Sequence, residues 1–99
     1  MNLQFDQARL EEICRKNGVE FLGVFGSVAR GEAGSNSDVD ILIRYPKSSR
    51  ATLLDMVDME EELSLLLGGK KVDLVTESFL SPYIRPNALR DLKPVYGTI

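Results

Sequence analysis

The chain has 99 residues and a formal net charge of −3, with 15 acidic against 12 basic side chains and no histidine. One modest core fits that length, and the acidic balance argues against broad salt-driven binding to nucleic acid. Without histidine there is no Ser-His-Asp triad, no Cys-His dyad and no His-based zinc site, and the lone Cys14 excludes an internal disulfide. Catalysis must therefore come from carboxylates, hydroxyls, Lys, Arg, backbone amides or a bound hard cation. Hydrophobic residues make up 43% and charged residues 27% of the chain, as in ordinary globular domains, so one domain over residues 1–99 is expected. The N-terminus carries no basic region followed by an apolar stretch, and no apolar run approaches the ~20 residues that span a bilayer. Those features predict a cytoplasmic protein that does not engage a membrane.

In chain order, residues 6–17 read as a helix, because Leu10, Ile13 and Cys14 recur at helical spacing and Gly18 supplies a stop. Residues 19–25 form a β-type run rich in branched and aromatic side chains. Residues 26–37, GSVARGEAGSNS, are a small-residue loop in which residues 27–30 can make one helical turn. A second strand is expected over 38–44. Next comes a turn around Pro46, then a helix over 51–67 with Ser49 as N-cap and Gly68-Gly69 at its end. Met56, Met59, Leu63, Leu66 and Leu67 share one face of it. Residues 71–76 form another strand, residues 78–84 a short segment, and Pro86 opens a last helix running to Leu92. The order predicts an α+β fold: a small mixed β-sheet with helices packed on one side.

The chemistry concentrates in residues 26–40. Gly26 and Gly31 have the glycine spacing of a P-loop, but Glu32 and Ala33 stand where Lys and Ser/Thr are required, and no GxGxxG fingerprint is present. What stands instead is Gly26-Ser27, ten residues, then Asp38-x-Asp40. In a strand, Asp38 and Asp40 face the same way, with Cα atoms about 6.6 Å apart. Their carboxylates can converge on two hard cations, and an oxygen-only ligand set suits Mg²⁺ or Mn²⁺. Asp73 is a charge centred in the apolar strand KVDLV. If that strand lies beside the previous one, all three carboxylates share a face, and Asp73 can also accept the proton of an attacking hydroxyl. Ser27, at the start of a helical turn, suits an anionic phosphate, and Gly26 allows close backbone approach. A metal–nucleotide complex satisfies both halves. Four fixed residues at about 5–7% usage each recur by chance only about 10⁻³ times in such a chain.

The segment FGSVARGEAGSNSDVDILI, with KKVDLVT and the tail SPYIRPNALRDLKPVY, resembles the DNA polymerase β-like nucleotidyltransferase superfamily. Within it, the chain resembles the minimal nucleotidyltransferases, the class that includes MntA-type antitoxins. The resemblance implies a nucleotidyltransferase core fold, a two-metal mechanism with Mg²⁺, and ATP or another NTP as donor. It matches Gly26 and Ser27 to the phosphate-holding pair, Asp38 and Asp40 to the two metal ligands, and Asp73 to the third carboxylate. Arg30 and Gly31 match a recurrent part of the loop, where Arg30 is either a phosphate contact or a solvated charge. It further implies transfer of AMP to a tyrosine of a HEPN-domain ribonuclease toxin. Two other readings stand beside it: a non-catalytic antitoxin that works by binding its partner, and nucleotidyl transfer to a small-molecule hydroxyl. The sequence admits an oligomer.

Other residues have plainer expectations. Asp55, Asp58, Glu60, Glu61 and Glu62 read as a solvated helix face, Met56 and Met59 as core, and Cys14 as a buried helix residue. Lys70 and Lys71 flank a strand edge. Tyr83, Arg85 and Tyr96 are candidates for a nucleotide or partner surface, and the two tyrosines are also candidate acceptors for self-modification.

Overall fold

A computed structural model describes residues 3–32, 38–77 and 80–98. The remainder of the glycine loop, residues 33–37, and the start of the segment expected at 78–84 lie outside the described residues. Helix α1 spans Gln7–Asn17. The Asp6 side chain accepts hydrogen bonds from the backbone N–H groups of Ala8 and Arg9, and Gly18 closes the helix at φ 70°. Strand β1 (Phe21–Phe25) runs directly into the short helix α2 (Gly26–Arg30), and β2 (Val39–Arg44) follows the loop.

Helix α3 covers Leu53–Leu66 and starts later than the sequence suggested. Its N-cap is Thr52 rather than Ser49: the Thr52 hydroxyl accepts from the Asp55 N–H while the Asp55 carboxylate accepts from the Thr52 N–H. Ser49 only accepts from the Ala51 N–H, a local turn. The reciprocal pair satisfies two helix-end donors at once, which a single serine cannot match. Strand β3 (Val72–Thr76), helix α4 (Arg85–Asp91) and strand β4 (Lys93–Tyr96) complete the chain.

The four strands form one mixed sheet in the order β3-β2-β1-β4. Strands β1 and β2 are antiparallel neighbours, and β2 and β3 are parallel, joined by the α3 crossover. Strand β4 was not expected from the sequence. It pairs antiparallel with β1 at the sheet edge, Pro94 opposite Gly23, and an edge is where a residue without an N–H can sit.

Alternation divides the sheet into two faces. Leu22, Val24, Val39, Ile41, Ile43, Val72 and Leu74 point into a core completed by Leu10 and Cys14 of α1 and by Met59 and Leu63 of α3. Cys14 is buried as expected, and burial pushes its thiol up to about 12. The acidic run on α3 is surface: Asp55 closes the cap and Glu62 pairs with Lys16 at 2.6 Å. The opposite face carries Phe21, Phe25, Asp40, Leu42, Arg44 and Asp73, and Leu92 packs there on Gly23. No helix among the described residues is long and apolar enough to cross a membrane.

Candidate active site

Strand register decides which side chains meet. Asp40 stands opposite Phe25 of β1 on one side and opposite Asp73 of β3 on the other. Parallel strands lie about 4.8 Å apart, so the Asp40 and Asp73 carboxylates leave the same face as direct neighbours. Asp38 ends the loop just before β2. The Val39 N–H donates to the Lys71 carbonyl at 2.8 Å, which keeps the β2–β3 pairing intact up to that point. Asp38 and Asp73 are exposed and Asp40 is half-buried.

The charges feel one another. Burial pushes the Asp40 carboxyl above the usual range, and the negative charges of Asp73 and then Asp38 push it further, while Arg30 pulls the other way. Among the described residues, no three acidic or thiol side chains are already drawn together into a metal cage. The site is thus an open row of carboxylates whose mutual repulsion a divalent cation would relieve. Its all-oxygen donors fit Mg²⁺ or Mn²⁺ in kind.

The glycine end meets the aspartate end through Gly26. Its backbone has φ 76°, a left-handed conformation, and a Cβ added there would collide with Oδ2 of Asp40. The Asp40 carboxylate therefore lies directly against the turn that starts α2. Ser27 occupies the first turn of α2, and Gly31 closes that helix at φ 77°. Ten residues apart in sequence, the Gly-Ser pair and the Asp-x-Asp pair are joined in space.

Arg30 is not a free solvated charge. Its Nε donates to Glu32 at 2.9 Å and its Nη1 to Asp91 at 2.8 Å, and the two carboxylates, Asp91 first, raise its already high pKa. Sequence reasoning passed over Asp91, which lies 61 residues from Arg30 and carries no local motif. The tail residues are not gathered at the carboxylates. Tyr83 is almost fully exposed, Arg85 donates to the Glu77 carbonyl at 2.6 Å, and Tyr96 packs against the core side of the sheet. A cavity of about 620 Å³ lies at the far ends of β2 and β3, lined by Tyr45, Thr52, Met56 and Arg85 among others, and contains none of the three aspartates. Among the described residues, the carboxylate row and the tight glycine turn meet on the open face, outside that cavity.

A sheet bearing paired aspartates beside a Gly-Ser turn is the arrangement that the resemblance to nucleotidyltransferases implies. The chain belongs to the nucleotidyltransferase domain family, whose profile matches residues 8–95. It is 42% identical over 85 residues to the protein adenylyltransferase MntA of Thermococcus cleftensis, covering 86% of this chain and 83% of that protein. A solved structure described as a minimal nucleotidyltransferase aligns with TM-score 0.74 and 39% identity, covering 89% of this chain and 87% of the other. The fold also aligns with a chain of the tri-AMPylated Shewanella oneidensis HEPN toxin in complex with MNT antitoxin (TM-score 0.66, 19% identity, 93% of this chain and 70% of that one). The expected family and the α+β fold are thereby established, and with them nucleotidyl transfer as the enzyme class.

Proposed function

We propose that this enzyme transfers AMP from ATP to a tyrosine hydroxyl of a HEPN-type ribonuclease toxin and so acts as its antitoxin. The observation that carries the reading is the Asp40–Asp73 register with Gly26 packed on Asp40, a carboxylate row beside a tight glycine turn on one open face. The adenylyltransferase relative and the AMPylated HEPN complex support the donor and the acceptor.

Asp38, Asp40 and Asp73 are assigned as the ligands of two Mg²⁺ ions, which, when bound, neutralise phosphate charge and polarise the α-phosphoryl group. Gly26 and Ser27 receive the β- and γ-phosphates, with Arg30 at their edge. The tyrosine oxygen bonds to the α-phosphorus, the bond from that phosphorus to the bridging oxygen breaks, and pyrophosphate leaves. Asp73, exposed beside Asp40, takes the tyrosine proton. The acceptor comes from outside, because Asp38 and Asp73 open to solvent and neither candidate tyrosine of this chain is gathered there.

The test incubates the chain with α-labelled ATP, Mg²⁺ and a HEPN-domain ribonuclease from the same organism, and maps the label by mass spectrometry. Label on a HEPN tyrosine, absent with Asp38→Asn/Asp40→Asn, is the expected result. A tight complex that silences the ribonuclease with no label, ATP and Mg²⁺ being present, would establish the binding-only antitoxin instead.

A further inference from the structure

Arg30 ends α2, one helical turn on from Gly26, and Gly26 packs against the Asp40 carboxylate, so the guanidinium lies near the carboxylate row. A guanidinium so placed has a strong alternative: a forked ion pair with the row itself, occupying the oxygens a cation needs. Two other carboxylates compete for it. Glu32 takes Nε and Asp91 takes Nη1. The two anchors are unequal. The Glu32 side chain is 64% exposed and close in sequence, whereas that of Asp91 is 17% exposed. Water and salt screen the less exposed pair less. Asp91 is also firmly placed: it ends α4, and the next residue, Leu92, packs closely on Gly23 of β1. Neither of these two contacts uses Nη2.

We propose that Asp91 is a positioning residue for the nucleotide donor: by holding Nη1 it keeps Arg30 off the aspartate row and turns Nη2 of the guanidinium toward the triphosphate. The C-terminal segment thereby becomes part of the donor site, though it carries no residue that touches the reacting atoms. This rests on the reading of the open face as the ATP·Mg²⁺ site.

The experiment is a calorimetric titration of ATP with Mg²⁺ into wild type, Asp91→Asn, Arg30→Met, the double variant and Asp91→Glu, with a thermal melt of each. Asp91→Asn is expected to weaken binding about tenfold, the range of one charge-assisted contact. Asp91→Glu should restore most of it, and Asp91→Asn should add nothing once Arg30 is Met. Wild-type affinity in Asp91→Asn with a lowered melting temperature would overturn the proposal, leaving the pair a staple of the fold. An equal loss in the Arg30→Met background would also overturn it, since the effect would not run through Arg30. Should Asp91→Asn fail to fold, Arg30→Lys reads the same contact, and unchanged affinity there has the same consequence. If wild type and Asp40→Asn bind ATP equally with and without Mg²⁺, the site reading itself has failed, and Asp91 falls with it.

Discussion

Gly26→Ala separates the cost of a backbone conformation from the cost of moving a carboxylate. At φ 76° any Cβ is strained, by about 1–2 kcal/mol for an ordinary residue. The same strain applies at Gly18, at φ 70°, where an added Cβ meets nothing within 4 Å. Gly18→Ala therefore calibrates the strain alone, and Gly26→Ala should lose that stability and somewhat more, at a drop of about 4–8 °C in melting temperature per kcal/mol in a domain this small. Only Gly26→Ala drives its methyl into Asp40 Oδ2. That atom is the tip of a side chain, so the fold survives while the carboxylate swings aside at about 0.5–1.5 kcal/mol of off-rotamer strain. A displacement on the order of 1 Å at a reacting centre costs about 10²-fold in rate. We therefore expect AMP transfer to fall about 10²-fold below that of Gly18→Ala at matched stability. The assay is label transfer at saturating ATP beside thermal melts of both variants. Equal transfer by the two alanine variants would refute the reasoning, because the packing of Asp40 on Gly26 would then have no bearing on the chemistry.

Asp40→Asn should lower transfer by at least about 10²-fold and yet stabilise the ligand-free protein at neutral pH. Asp40 is raised from 3.8 in the fold, so the ionised carboxylate disfavours folding above its folded pKa; the advantage of Asn should shrink as the pH falls through that pKa and vanish below 3.8, as pH-dependent melts will read. Gly97→Ala should cost more stability than Gly18→Ala despite a similar φ of 74°, because its Cβ collides with the Glu20 carbonyl, a backbone atom that cannot swing away; denaturant midpoints compare them. Cys14, with its thiol raised to about 12 by burial, should resist a thiol reagent at pH 8 until the protein unfolds, and rapid labelling of the native state would place it elsewhere.

The elements that could be read from the chain are those with a local signal. Helix α1 has periodicity and a glycine stop, and β1 to β3 are short apolar runs bounded by turn residues. Strand β4 has neither: Lys93–Tyr96 is four residues long, contains a proline, and becomes a strand only because β1 offers it an edge. The start of α3 was misplaced because Ser49 and Thr52 are equally good single caps; the Asp three residues after Thr52 was the available clue. Within the site, Asp38, Asp40 and the Gly-Ser turn were legible from spacing. That Asp40 stands opposite Asp73 was conditional on the two strands being neighbours, which the α3 crossover decides and no local pattern states. Asp91 had no sequence signal, since its role depends on a contact between the first third of the chain and its end.

The position of Asp40 shows why such a site is built on a sheet. The core face of β2 buries Val39, Ile41 and Ile43, so the strand cannot move to relieve its aspartate. Gly26 blocks the carboxylate on one side, Asp73 repels it on another, and Asp38 repels it from two residues upstream. Its pKa is raised first by burial and then by those two charges. An isolated exposed aspartate would gain little from a divalent cation, because water already solvates it. A confined one with two like-charged neighbours exchanges repulsion for attraction when a cation arrives. Metal and nucleotide should accordingly raise the melting temperature of wild type more than that of Asp40→Asn, since the asparagine variant has less repulsion to relieve.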